Sequence, residues 1–458
     1  MSGTHAASDA ELGSVDALTH EGEGVVHGGK TAFVAGALPG ELVRFRRVRR
    51  HRRHDDAVLL EVLRAAAERT TPRCAHFGVC GGCALQHLAA ERQIEAKQTE
   101  LAQTLERIGR AAPERWLEPL RGPLWQYRRR ARLGARFVAK KGRVLVGFRE
   151  RLSPYVAALE SCAVLAAPLG ELIGPLSQLL TGLTLRERIP QIEATAADDA
   201  TALVLRVLAP PSQSDLEQLR GFERAHRVRF YLQPGGLDSV TRLSEDAPLA
   251  PGTLTRAGEE PLTCALPAQG LTFELAPTDF IQVNGPVNAA LVGRALELLA
   301  PAPHERVLDL YCGLGNFTLA LAQRAGAVLG VEGDPRLVER ARHNANRNGI
   351  ANARFLTADL AQPLDASAAW LRESFNHVLL DPPRAGARDV MRTIARIGPR
   401  RVLYISCHPG SLARDVGLLV HDHGFALRAA GVLDMFPHTT HVESLALLTP
   451  PGGGEIGA

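Results

Sequence analysis

The strongest constraint on the fold is a repeated pattern of apolar strand, loop and helix in the C-terminal third of the chain. Alternation of this kind is typical of a mostly parallel sheet with helices on both faces. It predicts an α/β domain of the Rossmann-like kind over residues 276–450, with ligands at the carboxyl ends of the strands. Five segments are the predicted strands: residues 306–310, 327–331, 353–356, 377–380 and 402–405.

The beginning of the chain has a different pattern. Residues 15–65 alternate short apolar pairs with Gly and Pro turns, which predicts a small OB-like β-barrel over residues 10–68. Residues 44–54 are rich in arginine and histidine, and we expect the arginines to face solvent and contact RNA phosphates. A solvated basic segment without a ligand is the alternative. Three apolar residues should face the barrel core: Val43, Phe45 and Val48.

The middle region, residues 69–275, mixes helical and strand patterns and is predicted to be an α+β domain. Its helical segment, residues 92–125, could pack on the C-terminal domain. Strands are expected at 203–207 and 229–232, and residues 127–132 form a second arginine-rich stretch that should also contact RNA phosphates. One helix face should be buried: Ile94, Leu101, Leu105 and Ile108.

Composition limits the function classes. The chain has 458 residues, of which 45% are hydrophobic and 22% charged, and its net charge is +4. This length suggests about three domains at about 150 residues each. No uninterrupted run of 18 apolar residues occurs, and the opening segment has no signal-peptide pattern. We therefore expect a cytoplasmic protein without membrane association.

Three of the seven cysteines lie close together in a glycine-rich segment. Cys74, Cys80 and Cys83 have the spacing C-x5-C-x2-C, which allows three thiolates to face one metal centre. Cys162 is the candidate for a fourth ligand. The spacing is compatible with an iron-sulfur cluster, with zinc (His76 or His87 could then replace a thiolate), or with no metal. The number of cysteines is too small for a secreted disulfide framework.

The first strand of the C-terminal domain leads into a glycine turn. Residues 307–318 read as a buried strand, a Gly-x-Gly turn and the start of a helix, and Thr318 occupies a position where a dinucleotide fingerprint needs a small residue. Acidic residues end the following strands, where they can accept hydrogen bonds from a nucleoside. Together these groups predict a site for S-adenosylmethionine: Asp309, Gly313, Gly315, Glu332 and Asp359.

Three further residues carry reaction chemistry. Asp381 follows the fourth strand within Asp381-Pro382-Pro383, Cys407 follows the fifth, and Glu443 lies on a strand near the end of the chain. A helix beginning near Ser411 should lower the pKa of Cys407. Cys264 and Cys312 are expected to be inert buried thiols.

A thiolate, a methyl donor and a carboxylate suit methylation at C5 of uracil, which is a weak nucleophile by itself. Cys407 would add to C6, the resulting enolate would take the methyl group at C5, and Glu443 would remove the C5 proton so that the thiolate leaves. Asp381 would orient the base. A base stacked in a helix cannot reach such a cleft, so the target should be single-stranded or flipped out.

The chain resembles the RNA uracil-5-methyltransferase family over most of residues 15–448. The resemblance is closest to members that act on 23S ribosomal RNA, and its N-terminal part is similar to a TRAM domain. The chain departs from the family pattern at Tyr311, often Phe, and at His408, often Asn. These motifs carry the resemblance: residues 24–40, 72–83 and 127–132, Cys162, and residues 279–284, 309–318, 381–384, 406–407 and 441–444.

The resemblance implies the cofactors, the partner and the residues that bind them. It implies a [4Fe-4S] cluster on Cys74, Cys80, Cys83 and Cys162, with Cys407 as nucleophile and Glu443 as general base. The resemblance also implies 23S ribosomal RNA as the partner, and we expect the protein to be a monomer. S-adenosylmethionine would be bound by six residues: Gln282, Tyr311, Asn316, Glu332, Asp359 and Asp381.

Three other functions remain open from the sequence. The enzyme could methylate a uridine in another ribosomal RNA site or in tRNA. The chain could be an RNA-binding assembly factor with a decayed pocket, although Asp381, Cys407 and Glu443 are all present. It could also be a methyltransferase that acts on an amine, but such enzymes need no thiolate.

Overall fold

The fold is described from a computed structural model covering residues 10–243, 252–255, 258–362 and 368–452. It divides into two compact units. The first unit holds the residues up to 97 together with residues 148–157 and 436–440, and the second holds the rest. None of the helices in the described ranges has the length and apolar character that a membrane span requires.

The first unit contains the predicted barrel. Its strands close in the order β1-β2-β3-β5-β4 around buried residues that include Val34 and Phe45. The alternation of buried and exposed residues along β3 and along the first half of β4 is typical of a strand with one face in a core. The five strands are β1 (Glu11–Leu18), β2 (Glu23–Val26), β3 (Thr31–Ala35), β4 (Leu42–Arg50) and β5 (His54–Arg64).

One of the three residues predicted to face this core does not. Val43 and Phe45 are buried, but Val48 is 53% exposed. Val48 lies an odd number of residues from Val43 and Phe45, so the alternation of side chains along a strand places it on the outer face. Arg47 instead lies against the sheet, where it contacts Asp55 at 3.0 Å.

A helix, α1 (Ala90–Thr104), follows and continues into one π-helical turn at Leu105–Gly109. Ile94, Leu101 and Leu105 are buried as predicted, whereas Ile108 is exposed. A π turn bonds residue i to i+5 and is therefore wider than an α turn. This change of pitch moves Ile108 off the apolar face.

The second unit begins with a mixed sheet of six strands. The predicted strands at 203–207 and 229–232 are confirmed, and the sheet order is β12-β11-β10-β9-β7-β8. The elements are β6 (Arg115–Trp116), β7 (Arg130–Val138), β8 (Arg143–Gly147), α2 (Ile173–Gly182), β9 (Gln191–Ala196), β10 (Thr201–Arg206), α3 (Gln213–His226), β11 (Val228–Gln233), β12 (Thr241–Arg242), and a hairpin of β13 (Leu262–Leu266) and β14 (Leu271–Leu275).

The C-terminal part of the second unit is the predicted α/β domain. All five predicted strands are present, and they run parallel in the order β17-β16-β15-β18-β19, followed by β21, β20 and β6. The elements are α4 (Gly285–Leu299), β15 (Arg306–Leu310), α5 (Thr318–Ala322), β16 (Ala327–Glu332), α6 (Pro335–Arg347), β17 (Ala353–Thr357), β18 (His377–Leu380), α7 (Arg388–Ile397), β19 (Arg401–Ser406), α8 (Pro409–His423), β20 (Ala426–Leu433) and β21 (Glu443–Thr449).

The central strands of this sheet are buried along their length, as expected where helices cover both faces. Residues just after α1 pack on the same domain. β6 extends the sheet by pairing with β20, and the π turn lies against α8. A Cβ atom added at Gly109 would lie 2.7 Å from the carbonyl oxygen of Ala413, so this close approach needs glycine.

Candidate active site

The carboxyl ends of five parallel strands meet at one edge of the C-terminal sheet. Three carboxylates lie there, on or just after neighbouring strands: Asp309 on β15, Glu332 at the end of β16 and Asp381 after β18. Asp309 interacts electrostatically with both of the others. The structure therefore brings these three predicted residues together.

Asp309 is the most buried of these acids. Its Oδ2 accepts a hydrogen bond of 2.5 Å from the hydroxyl of Thr318, the first residue of α5. Among the described residues, nothing hydrogen-bonds its buried Oδ1. Burial, with the nearby charges of Asp381 and Glu332, raises the pKa of Asp309 to about 7. A buried acceptor of this kind fits a ligand that brings a hydrogen-bond donor.

The glycine turn is tied to the next strand by Glu332. One carboxylate oxygen accepts from the backbone N–H of Gly313 at 3.1 Å, and the other accepts from that of Asp334 at 3.0 Å. Tyr311, Gly313 and Gly315 all have positive φ, with values of 63°, 55° and 97°. This conformation is unusual for tyrosine and holds the turn close to the ends of the strands.

The remaining predicted cofactor residues surround this turn. The Tyr311 hydroxyl donates to the carbonyl of Leu360 at 3.2 Å, next to Asp359, which accepts from the N–H of Ala361 at 2.9 Å. Asn316 exchanges two hydrogen bonds with Asn288 of α4, at 2.9 and 3.0 Å. Asn288 was not predicted from the sequence, and its position on one face of a long helix gives no signal for this role.

Gln282 and Asp381 are in direct contact. The Gln282 amide donates to Oδ2 of Asp381 at 3.2 Å, and burial raises the pKa of Asp381 to about 7 against the effect of this bond. Gln282 lies two residues before Asn284, whose side chain caps α4 by accepting from the N–H of Val287. The loop read as a helix cap therefore also places an amide at the strand edge.

Cys407 and Glu443 emerge side by side from the sheet. Ser406 of β19 pairs with Ser444 of the antiparallel strand β21. Cys407, which follows Ser406, therefore lies beside Glu443, which precedes Ser444. Glu443 is buried and Cys407 is partly exposed. Burial, and then the charges of Glu443 and Asp381, raise the pKa of Cys407 to about 11.

The prediction that a helix N-terminus lowers the pKa of Cys407 is therefore wrong. The helix α8 begins at Pro409, and its cap is His408, whose Nδ1 accepts from the N–H of Ser411 at 3.1 Å. Cys407 lies outside this cap, and two carboxylates act on it in the opposite direction. Cys264 and Cys312 also have raised pKa values because they are desolvated.

The arginines of residues 127–132 support the Gln282 loop. The N–H of Arg129 donates to the carbonyl of Val283 at 2.8 Å. The Arg130 guanidinium donates to the carbonyls of Thr278, at 2.7 Å, and Asp279. Sequence reasoning assigned these arginines to RNA and missed this role, because the loop that they hold is about 150 residues away in the chain.

The cysteine loop belongs to the first unit, except for Cys162, which lies in the second. Cys74, Cys80 and Cys83 form no disulfide in the described part of the chain and are partly exposed. The Cys80 sulfur accepts from the N–H of Gly82 at 3.4 Å. His87 packs on Phe77 of this loop and is 1% exposed, and neither of its nitrogens has a hydrogen-bond partner among the described residues.

Comparisons with known proteins agree on one family. A family model described as tRNA (uracil-5-)-methyltransferase matches residues 261–450. A protein of Alkalilimnicola ehrlichii named 23S rRNA (uracil(1939)-C(5))-methyltransferase RlmD is 49% identical, with 95% of each chain covered. The chain belongs to the RNA uracil-5-methyltransferase family. A protein of the same name from Nitrosococcus oceani is 47% identical, with 96% of each chain covered.

A solved structure shares both the fold and this family. The tRNA (uracil-54, C5)-methyltransferase of Pyrococcus abyssi, crystallised with S-adenosyl-L-homocysteine, has a TM-score of 0.73 and 25% identity. The similarity covers 96% of this chain and 99% of the other. It therefore includes the N-terminal barrel as well as the methyltransferase domain.

Proposed function

We propose that the protein transfers a methyl group from S-adenosylmethionine to C5 of a uridine in 23S ribosomal RNA. The observation that carries the proposal is the placement of Cys407 beside Glu443, next to Asp381, at the edge of a methyltransferase sheet. The names of its relatives support uridine 1939 as the target.

The roles of the residues follow from the chemistry of C5. S-adenosylmethionine supplies the methyl group. The Cys407 sulfur forms a bond to C6, which places the electron pair of the C5–C6 double bond on C5 for attack on the methyl carbon. Glu443 then accepts the C5 proton, and the C6–sulfur bond breaks as the double bond returns. Asp381, fixed by Gln282, accepts a hydrogen bond from the base edge.

The raised pKa of Cys407 specifies when its proton leaves. With a pKa of about 11, the sulfur is a neutral thiol in the free enzyme at pH 7. The buried carboxylate of Glu443 would repel a thiolate that formed before the uridine binds. The thiol therefore gives its proton to water as the sulfur attacks C6, after the uridine has entered the site, and Glu443 stays ionised to accept the C5 proton.

Two variants separate the proposed steps. Cys407→Ala should form neither product nor adduct, because nothing adds to C6. Glu443→Gln should accumulate a methylated protein–RNA adduct that survives denaturing electrophoresis, because the C5 proton stays and the sulfur cannot leave. Cys264→Ala is the matched control and should have normal turnover. Normal turnover of Cys407→Ala, or an adduct in that variant, would rule out Cys407 as nucleophile.

The electrostatic effect of Glu443 can be measured without RNA. Replacing the carboxylate by an amide removes a charge that raises the pKa of Cys407. Glu443→Gln should therefore increase the rate at which iodoacetamide alkylates Cys407 at pH 8, measured by peptide mass spectrometry. An unchanged or lower rate would show that Glu443 does not act on the thiol.

The target is proposed to be single-stranded or flipped out, because C5 and C6 of a stacked base cannot reach the sulfur. Mapping of 5-methyluridine in cells with and without the protein tests the target. Loss of the modification at position 1939 of 23S ribosomal RNA is expected. Loss in tRNA alone would replace the target, and no loss would favour an assembly role.

For S-adenosylmethionine we propose six binding residues. The fit rests on the buried, unpartnered Oδ1 of Asp309 and on the convergence of polar groups around the glycine turn. Replacement of any of the six side chains named below should weaken the binding of S-adenosylhomocysteine, measured by calorimetry. The proposed residues are Gln282, Tyr311, Asn316, Glu332, Asp359 and Asp381.

We also propose a [4Fe-4S] cluster on Cys74, Cys80, Cys83 and Cys162. A single zinc ion, with zinc–sulfur bonds of about 2.3 Å, holds its thiolates within about 4 Å of one another. In the described part of the chain, no set of three potential ligands that includes a cysteine has its ligand atoms within 4.8 Å. Among the described residues the cysteines therefore do not form a set of zinc dimensions, and the unpartnered nitrogens of His87 suit a nearby acceptor such as sulfide.

The cluster would order the cysteine loop and would take no part in methyl transfer. Anaerobically purified protein should be brown and contain about four iron atoms per chain. Cys80→Ser should lose the iron and the stability of the first unit. One zinc without iron or sulfide would reverse the assignment, and a fully stable colourless variant would contradict the structural role.

A further inference from the structure

A compact group of metal-binding side chains lies at the turn between β4 and β5, and none of its residues is assigned above to S-adenosylmethionine, the cluster or methyl transfer. The Nε2 atoms of His51 and His54 lie 3.0 and 3.8 Å from the two different oxygens of the Asp56 carboxylate. One ligand atom from each of the three residues lies within 4.8 Å of the other two. Among the described residues, this is the one group of three or more with that property.

The neighbouring acid holds the turn and leaves Asp56 for the histidines. Asp55 is buried and takes ion pairs from Lys30 at 2.5 Å and from Arg47 at 3.0 Å. It also accepts from the backbone N–H of His51 at 3.2 Å, which bonds in addition to the carbonyl of His54 at 3.0 Å. The backbone that carries the ligands is therefore fixed by the protein's own contacts.

The imidazole rings are also held in place. His54 stacks on Phe33 with ring centroids 4.5 Å apart, and the ring of His51 lies 4.6 Å from that of His54 at an interplanar angle of 23°. The three residues of the group are about one-quarter to one-third exposed, so an ion could enter from solvent. Fixed rings that are open to solvent lower the entropy cost of binding an ion.

We propose that His51, His54 and Asp56 form a site for a divalent transition metal, with Zn²⁺ as the first candidate. Two imidazoles and one carboxylate are typical zinc ligands, and magnesium or calcium would prefer oxygen ligands alone. At zinc–ligand distances of about 2.0–2.1 Å, tetrahedral ligand atoms lie about 3.3 Å apart. The 3.0 and 3.8 Å contacts involve different oxygens of Asp56, and one ligand atom from each residue lies within 4.8 Å of the others. The ligand atoms must therefore close by up to about 1.5 Å to bind an ion, and water can occupy the fourth position.

A simple histidine–aspartate hydrogen bond is the competing explanation for this contact, and the exposed arginines of the hairpin would repel a dication. A hydrogen bond needs only one imidazole, however, whereas here two converge on opposite oxygens of one carboxylate. The arginine charges are at the surface, where solvent and salt screen them. Direct bonds to three ligands should outweigh that repulsion.

The test is a calorimetric titration of Zn²⁺ into tag-free, cluster-loaded full-length protein. The wild type should bind one more equivalent at micromolar concentration than the double variant His51→Ala/His54→Ala. Asp56→Asn should weaken the same equivalent at least about tenfold, because it removes one of the three ligands. His20→Ala is the matched control, because His20 is an exposed histidine of the same unit, and it should bind like the wild type.

An equal number of bound zinc ions in wild type and double variant would overturn the proposal, and so would equal loss in His20→Ala. The iron content measured before and after titration shows that the difference does not come from the cysteines. If the double variant does not fold, crystals of the wild type soaked in Zn²⁺ decide the question. An anomalous peak between the three side chains supports the site, and its absence rejects it.

Discussion

The two arginine-rich stretches look alike in the sequence and differ in what their side chains contact. In the barrel, six arginines of the first stretch are exposed on β4 and the following turn: Arg44, Arg46, Arg49, Arg50, Arg52 and Arg53. In the second stretch, the side chains of Arg129 and Arg130 are each only 18% exposed. They form ion pairs with Asp198 at 2.5 Å and with Glu193 at 3.1 Å.

The difference comes from burial, since pairing alone does not separate the two stretches. β7 pairs with β9, which places Glu193, 7% exposed, directly opposite Arg132 and within reach of Arg130. In the barrel, Arg49 and Arg50 also lie opposite acids of β5 and are nevertheless exposed, whereas Arg47 pairs with a buried acid. A buried arginine paired with an acid stabilises the fold, and an arginine that faces water is available to a ligand. The prediction that the second stretch contacts RNA is thus restricted to Arg132, which is 69% exposed.

The largest expected effect in this contrast between buried and exposed charge concerns Asp309, a buried acid whose pKa is affected by no cationic side chain of the described residues. Burial raises the pKa of Asp309 to about 7, from 3.8. The folded protein therefore binds this proton more tightly than the unfolded chain. The contribution of Asp309 to the free energy of unfolding is thus most favourable at low pH and falls as pH rises between about 4 and about 7. A difference of about three pH units corresponds to at most about 4 kcal/mol.

Asp309→Asn should therefore unfold at a higher temperature than the wild type at pH 8, in the absence of cofactor. At pH 4 the two proteins should unfold at nearly the same temperature, and calorimetry at several pH values measures the difference. Other titrating groups are shared by both proteins and cancel. A difference that does not vary with pH would show that Asp309 is not protonated in the folded state.

The second test concerns the exposed arginines of the barrel. Replacing Arg49, Arg50, Arg52 and Arg53 by Gln should weaken binding of a ribosomal RNA fragment by about 100-fold at about 0.15 M salt. The slope of log affinity against log salt should fall by about 0.7 to 0.9 for each phosphate that the variant no longer neutralises.

The unfolding temperature of this quadruple variant should not change, since the four side chains face solvent. An unchanged salt slope would mean that these arginines are an ordinary solvated face. A large loss of thermal stability would mean that they resemble the second stretch, and the contrast between the stretches would fail.

Local pattern predicted much of the fold. The five parallel strands follow from apolar segments separated by helices, and their order brings Asp309, Glu332 and Asp381 to one edge. Cys407 and Glu443 could be predicted as neighbours only from the chemistry that they share. The antiparallel pairing of β19 with β21, which places them side by side, has no local sequence signal.

Three features were not predicted. The pKa of Cys407 depends on burial and then on the charges of Glu443 and Asp381, which lie in other segments of the chain. The exposure of Val48 follows from the alternation along β4, which assigns it to the outer face, and that of Ile108 follows from a π turn. At Val48 and Ile108 the local sequence was read correctly as strand and helix, and the error lay in the direction in which one side chain points.

The smallest expected effect distinguishes two neighbouring arginines that share Glu193. Arg130→Ala removes a largely buried ion pair and two hydrogen bonds to the carbonyls of the Gln282 loop. We expect a loss of about 2 kcal/mol of unfolding free energy, because Glu193 is 7% exposed and keeps only the ion pair with Arg132 and a hydrogen bond from Gln191 at 3.3 Å. Binding of S-adenosylhomocysteine should also weaken, since Gln282 is no longer held against Asp381.

Arg132→Ala is the matched control, because it removes an ion pair to the same carboxylate from an arginine that is mostly in solvent. Its cost should be at most about 0.5 kcal/mol, and its binding of S-adenosylhomocysteine should be normal. Chemical denaturation and calorimetry measure both quantities. Equal destabilisation by the two variants would mean that burial does not separate their roles. A smaller slope of log RNA affinity against log salt in Arg130→Ala would mean that the second stretch also contacts RNA phosphates, as the first stretch is proposed to do.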